Sequence, residues 1–337
     1  MIPALKRGVA RSLLRSGLIE AIERRRRGRK GIILMYHRVN DAADPYFPAL
    51  DTASFESQLD HVRATYRVET VDALLDWTRS GPDGPPRVAI TIDDGYVDTH
   101  AVALPRLRER SLPATLFLAT APPETGRALW LDYLRSLFKH THATSVELPS
   151  LGLGPFPLAS DAQRLAALGR IAARLKRAGA ETVDAAVDEL SRRLGADQVP
   201  PVPVLTWAQV ADIARGGITV GAHTHRHYIL SNLDMAAARE DIATSLALIR
   251  DRVGSEPRGF AYPNGAVGDY SPETIRVLEE LGVRWACTTR CGFATSSSHP
   301  LEIPRIHTSM DTLPLFAARL AGLTRLPDDD GGGPLAA

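Results

Sequence analysis

The stretch AITIDDGYVDTH, residues 89–100, runs from an apolar, strand-like segment straight into two adjacent carboxylates and a glycine. Neighbouring like charges repel, and an ionised carboxylate leaves water only where a cation or hydrogen-bond donors compensate. Taken alone, Asp-Asp-Gly reads first as a solvated turn, in which Asp supplies side-chain hydrogen bonds and Gly a positive φ. The sharper reading is a strand end built to hold a positive ion. The rest of the chain decides between them.

Around this stretch, strand-like and helix-like segments alternate. GIILMYH (31–37), RVAITID (87–93) and ATLFLAT (114–120) read as buried strands. SFESQLDHVRATY (54–66), opened by a Ser cap, and VDALLDWTRS (71–80), stopped by GPDGPP, read as helices. THAVALPRLRER is helical in pattern, with Pro105 near its start or kinking it. The alternation resumes after residue 203 with a helix (TWAQVADIARGG), a strand (ITVGAH), a long helix (LDMAAAREDIATSLALIRDRVG) and a strand and turn (RGFAYPNG). Then come a helix capped by Ser271 (SPETIRVLEELG), a strand (VRWACTT), a short edge strand (LEIPRIHT) and a last helix (TLPLFAARLAG). Six or seven strands with helices between them predict an α/β fold, a distorted (β/α) barrel, over residues 31–323. An Ala/Leu/Arg-rich stretch bracketed by prolines, about residues 122–203, reads as an inserted helical segment with helical runs at 130–138 and 161–194.

Composition limits the function. The 337 residues are 44% hydrophobic, and 40 Lys+Arg balance 39 Asp+Glu, so the chain is globular with no bulk preference for nucleic acid. No G-x-x-x-x-G-K-[ST] or strand-borne G-x-G-x-x-G is present to bind a nucleotide. Cys287 and Cys291 lack the second ligand pair of a zinc ribbon and read as ordinary cysteines.

In a parallel α/β fold, reactive side chains gather at the carboxyl ends of strands. Those ends carry Tyr36 and His37, Asp93 and Asp94, His223, Thr224, His225 and His227, and Tyr262 to Gly265. One histidine there would read as structural. Two at i, i+4, beside an unexplained aspartate pair, point to a metal: two neutral imidazoles and a carboxylate make a facial site with open positions for water and substrate. His223 and His227 converge if the chain turns helically between them, and His225 points elsewhere, toward solvent. Alternate strand residues face opposite ways, so the two acids share one centre only where the strand ends, at a turn supplied by Gly95. One acid then serves as ligand and the other takes a proton from water.

TIDDG (91–95), HTHRH (223–227) and FAYPNG (260–265) together resemble the motifs of the polysaccharide deacetylase family, carbohydrate esterase family four. The resemblance implies a distorted barrel and metal-dependent removal of acetyl groups from an N-acetylated saccharide, usually N-acetylglucosamine in a glycan. By matching position it implies Asp93 as general base and Asp94, His223 and His227 as ligands of a divalent metal, Zn2+ first among candidates. It also makes the backbone N–H of Asn264 an oxyanion donor. The chain departs from the family at Ala261, where an arginine orienting the base is usual; Arg305 is the candidate substitute, and Arg258 the arginine nearest in sequence. The tryptophan-bearing fourth motif is unrecognisable, with Trp285 as a remnant, and no C-terminal strand ends in the usual leucine, any residue, histidine. ILMYH at the start carries that chemistry and resembles a circularly permuted branch that includes biofilm poly-N-acetylglucosamine deacetylases. His37 is therefore the candidate general acid and His307 the alternative. Trp130, Tyr133 and Trp207 are candidate aromatic faces for a sugar, with core packing the competing reading. Rival functions are an amidase or esterase on a small molecule, with the insertion as lid over a closed pocket, and a catalytically silent binding barrel. A glycoside hydrolase fits less well, since its paired carboxyl groups stand at least about 5 Å apart.

Residues 1–30 hold Lys6, Arg7, Arg11, Arg15, Arg24–Arg27, Arg29 and Lys30 against Glu20 and Glu23, with Val9, Leu13, Leu14, Leu18 and Ile22 near helical spacing. They read as a basic amphipathic segment, either a solvated cap or a peripheral contact with an anionic membrane. No export-type apolar run or spanning stretch is present, so the expected location is the cytoplasm, at most peripheral at the inner membrane face. Residues 324–337 read as a disordered tail.

Overall fold

Along β3 (Arg87–Ile92) every residue from Val88 to Ile92 is buried, so both faces of the strand need apolar cover. The computed structural model, which describes residues 30–80, 85–195, 197, 199–308 and 312–323, shows how that cover is made. With strands numbered in chain order, β1 (Ile32–Tyr36), β10 (Ile303–His307), β9 (Trp285–Cys291), β8 (Gly259–Ala261), β7 (Ile218–Ala222), β4 (Ala114–Leu118) and β3 are successive parallel neighbours. The ring closes where β3 pairs with β1, from Ile32↔Val88 to Tyr36↔Ile92. The result is a seven-stranded parallel barrel, and the short β2 (Arg67–Val68) joins the start of β3. LEIPRIHT is therefore not an edge: β10 lies between β9 and β1, because ring closure leaves that strand two neighbours.

Strand alternation separates two cores. Ile32, Leu34, Val88, Ile90, Ile92, Leu116, Val220 and Ile306 face outward onto the helices, while Ile33, Ala89, Phe117, Ala261, Trp285, Cys287 and Ile303 fill the interior. The outer layer comprises α1 (Thr52–Thr65), α2 (Val71–Ser80), α3 (Leu104–Glu109), α8 (Trp207–Arg215), α9 (Met235–Val253), α10 (Pro272–Glu280) and α11 (Leu313–Leu320). Leu74 of α2 presses so closely on the start of β1 that a Cβ at Gly31 would lie 2.4 Å from it. The cap of α1 is Asp51, not Ser54: the Asp51 carboxylate accepts the Ser54 N–H at 2.8 Å. Pro105 removes a backbone donor, and the turn before it, Thr99–Ala103, widens to a π-helix before α3 begins.

The insertion between β4 and β7 contains α4 (Ala121–Thr125), α5 (Trp130–His140), α6 (Asp161–Leu175) and α7 (Ala180–Leu194). It is not all helical: β5 (Ser145–Leu148) and β6 (Leu153–Pro157) form an antiparallel hairpin. Alternate burial of Val146 and Leu148 on β5, with Phe156 on β6, supplies the reason, since this face packs on Leu137, Leu168, Ile171 and Leu190 in a separate core that Tyr46 and Tyr228 also join. No helix among the described residues is long and apolar enough to cross a membrane. The basic N-terminal segment, apart from Lys30, and the 324–337 tail lie outside the described residues.

Candidate metal centre and active site

Inward-facing positions continue beyond the strand ends. Ala89 and Thr91 face the barrel interior, and Asp93, two residues on, keeps that direction and is 1% exposed. Ile303 also faces inward, and Arg305 after it is fully buried. The two meet in a fork: Arg305 Nη1 and Nη2 donate to Asp93 Oδ1 and Oδ2, each at 2.7 Å. Arg305 further donates to Thr91 Oγ1 (3.1 Å) and the Thr288 carbonyl (3.0 Å). Burial alone would raise the Asp93 carboxyl; the Arg305 guanidinium overrides it and holds Asp93 below the usual carboxylate value. Arg258, by contrast, is exposed before β8 and lines a cleft formed with the starts of β7 and β8.

Asp94 breaks the alternation. Its φ of +71° swings the side chain to the same side as Asp93, so the turn begins at Asp94 itself, one residue before Gly95. Of the six described non-glycine residues with positive φ, four lie here: Asp94, Thr224, His227 and Asn264. Such backbone is strained for residues with a Cβ and persists where surrounding contacts fix it. For His223–His227 those contacts are not a helical turn. Thr224 Oγ1 accepts the His227 N–H at 3.0 Å, and buried Asp241 on α9 accepts the N–H of His225 (2.9 Å) and of Arg226 (3.3 Å). The sequence reading missed Asp241, which sits among helical residues with nothing local to mark it.

The bend brings three ligand atoms together. His223 Nε2 lies 3.3 Å and His227 Nε2 3.1 Å from Asp94 Oδ1, and the two Nε2 atoms are 3.1 Å apart. Metal bonds of about 2.0–2.1 Å at tetrahedral angles would separate ligands by roughly 3.3 Å. The triangle therefore fits one such ion. Both oxygens of Asp94 are buried, and neither makes a hydrogen bond, since the imidazole contacts lie off hydrogen-bond geometry. That is a costly arrangement unless a cation binds there. His223 Nδ1 donates to the Ala261 carbonyl at 2.7 Å, which fixes the tautomer and leaves Nε2 free to ligate. Burial opposes charge on Asp94, but His227, His223 and His37 hold its carboxyl well below the ordinary range.

His37 follows β1, with Nε2 4.0 Å from Asp93 Oδ2. Burial lowers its pKa, against the pull of Asp94 and Asp93. His307 spends Nε2 on the Thr289 carbonyl at 3.0 Å. Asn264 is held by its side chain, accepting from Lys176 Nζ (2.9 Å) and donating to Asp269 (2.6 Å). Its backbone N–H donates to no group among the described residues, as an oxyanion donor requires. Trp130 lines the pocket that contains Asp94 and His227. Tyr133 instead meets Ser191 in the insertion, and Trp207 donates to Glu124. His225 is half-buried against Thr120 (2.9 Å), and Trp285 packs edge-on to Phe117 inside the barrel. The pocket is otherwise formed by insertion residues absent from the sequence reading, Leu129, Leu131, Asp132, Arg135 and Lys176, with Tyr96 and Ile229.

At its carboxyl end the seven-stranded barrel thus carries an Asp-His-His triangle and an arginine-held acid. The chain is similar to the polysaccharide deacetylase family, whose sequence model matches residues 158–286. This segment contains His223, His227 and Asn264; Asp93 and Asp94 lie outside it and join them only through the fold. YxkH of Bacillus subtilis (strain 168), named for the polysaccharide deacetylases, is 28% identical over 105 residues, 31% of this chain and 37% of its own length. The chain thus matches little more than a third of that relative. Among solved structures, the Streptococcus pyogenes deacetylase PplD in complex with acetate has a TM-score of 0.59 at 17% identity, covering 86% of this chain and 97% of that one. IcaB from Ammonifex degensii has a TM-score of 0.57 at 20% identity, covering 87% and 97%. These structures share the barrel fold.

Proposed function

We propose that this chain is a metal-dependent hydrolase that removes N-acetyl groups from an amino sugar of a glycan or lipid-linked saccharide. One observation carries the proposal: Asp94, His223 and His227 converge within ligand distance of one another beside an acid, Asp93, held ionised by Arg305. A divalent ion, Zn2+ on this donor set, would supply Lewis-acid polarisation of water and of the acetyl carbonyl. Asp93 accepts the proton of the attacking water. The Asn264 N–H donates to the oxyanion that develops. His37, facing Asp93 across the site, protonates the departing amine, a poor leaving group otherwise. Its delivery from the first strand, which closes the ring beside β10, supports the permuted-branch resemblance.

The deciding assay measures acetate release from a panel of N-acetylated sugars with and without chelator. Chelation is expected to abolish release and added Zn2+ to restore it, while Asp93→Asn lowers kcat by about 10²–10⁴. Release indifferent to both would remove the proposal. His37→Ala is expected to lose roughly 10²-fold in kcat with little change in KM, and His307→Ala to stay near wild type. The opposite ranking would give the acid role to His307.

The insertion's share of the pocket wall favours a second reading, an amidase or esterase on a small molecule. It predicts that monomeric amides outcompete oligosaccharides in the same assay. Residues 1–30 are proposed to touch an anionic membrane, which would suit a lipid-linked substrate at the cytoplasmic face. Sedimentation with anionic vesicles, lost when Arg24–Arg27 become serine, is the expected result; sedimentation unchanged by those replacements refutes it.

A further inference from the structure

Lys176 caps the C-terminus of α6, and its side chain reaches out of the insertion. Nζ donates to Asn264 Oδ1 at 2.9 Å, across 88 positions of chain. A lysine at a helix end ordinarily extends into water, where it also meets the negative end of the helix dipole. This one is half-buried beside Asp94 and His227. Burial first, and Arg135 second, lower the pKa of its ammonium against the pull of Asp269 and Asp94, so the lysine is held there at a cost. Its main chain is anchored as well: the N–H donates to the Ala172 carbonyl (2.8 Å), and the carbonyl accepts from Asn232 Nδ2 (2.8 Å). Beside Asn232, the Ser231 N–H donates to the Asp269 carbonyl at 3.0 Å. Residues 231 and 232, which follow the ligand His227, thus tie the end of α6 to the loop that carries Asn264.

What the lysine grips is a strained turn. Asn264 has a φ of +61°, so its conformation depends on outside contacts. Its carbonyl accepts from Thr289 Oγ1 (2.7 Å), and its Nδ2 donates to Asp269 (2.6 Å). The remaining polar atom of the side chain, Oδ1, is held from the insertion. An oxyanion donor contributes according to how well its N–H is aimed before reaction, and a misplacement of about 1 Å can cost 10²-fold. We infer that Lys176 is a positioning residue: by gripping the Asn264 side chain it aims the Asn264 N–H at the developing oxyanion. The inference rests on the hydrolase reading and deepens it, since the insertion then helps to build the oxyanion site besides walling the pocket.

The test uses the full-length chain, loaded with Zn2+ for kinetics on β-1,4- and β-1,6-linked N-acetylglucosamine pentasaccharides and metal-free for NMR. Lys176→Met is expected to lower kcat about 10- to 100-fold with KM and bound metal unchanged. Lys176→Arg, which keeps a cationic donor, should recover most of the rate. Asn264→Ala retains the backbone N–H and should lose at least as much as Lys176→Met; adding Lys176→Met to it should cost nothing more, because the grip is already gone. In metal-free protein the order parameter of the Asn264 N–H should drop from about 0.85 toward roughly 0.6 in Lys176→Met. Losses that multiply in the double variant would make Lys176 act on the substrate directly. A lower melting temperature with wild-type kcat and order parameter would leave it a helix cap. Either result overturns the positioning role, as does an Asn264→Ala protein of wild-type kcat, which requires no lysine variant to fold. An order parameter lost in Lys176→Met while wild type releases no acetate would instead sink the hydrolase reading and leave the grip on Asn264 standing.

Discussion

Replacing Arg305 with methionine is expected to destabilise the protein by about 3–5 kcal/mol and to abolish turnover. The guanidinium is fully buried and bonds both oxygens of a buried carboxylate; removing one partner strands the other charge in the core. The sign with pH follows from the direction of the shift. The folded Asp93 pKa lies below its unfolded value, so the pair stabilises the fold above the ordinary carboxylate range, near pH 4, and loses that contribution as pH falls through the folded value. Without Arg305, burial dominates and raises the Asp93 pKa, so the base is protonated where the wild type is active. Chemical denaturation as a function of pH, with an acetate-release assay, would show both effects. The double variant Asp93→Leu/Arg305→Met separates them: stability returns most of the way, as it does when both members of a buried pair become apolar, while activity stays absent. A single variant of wild-type stability would mean the fork contributes nothing to the fold.

Asp94→Asn should empty the metal centre. The carboxylate faces both imidazoles, and its neutral amide supplies no charge to bind a divalent ion. Metal per chain, measured by emission spectrometry after dialysis, is expected to fall from near one to near zero, and kcat by at least about 10³. Only wild type should gain in melting temperature when Zn2+ is added, as binding to the native state alone requires. A variant that retains stoichiometric metal would refute Asp94 as a ligand.

Much of this was legible in the sequence because the relevant physics is local. Apolar strand-like runs alternating with helical ones, a helix cap at Ser271, and histidine and aspartate at strand ends predicted the barrel and singled out Asp93, Asp94, His223 and His227. Where local rules competed, the reading slipped. The hairpin at 145–157 hid in an Ala/Leu-rich context, and the histidine pair converges through a bend of positive φ, for which i, i+4 spacing suggested a helix.

Tertiary structure alone decided the partners. Arg305 and Asp93 are 212 positions apart, and nothing near either residue in the chain announces the other. They meet because β1 pairs with both β3 and β10 to close the ring, which turns the odd-numbered positions of both strands toward one interior. Asp241 and Lys176 likewise act through contacts that exist only once a helix has packed beside the site. Residue type and spacing fix what chemistry a strand end can offer; which ends share a site depends on ring closure, which a linear pattern does not encode.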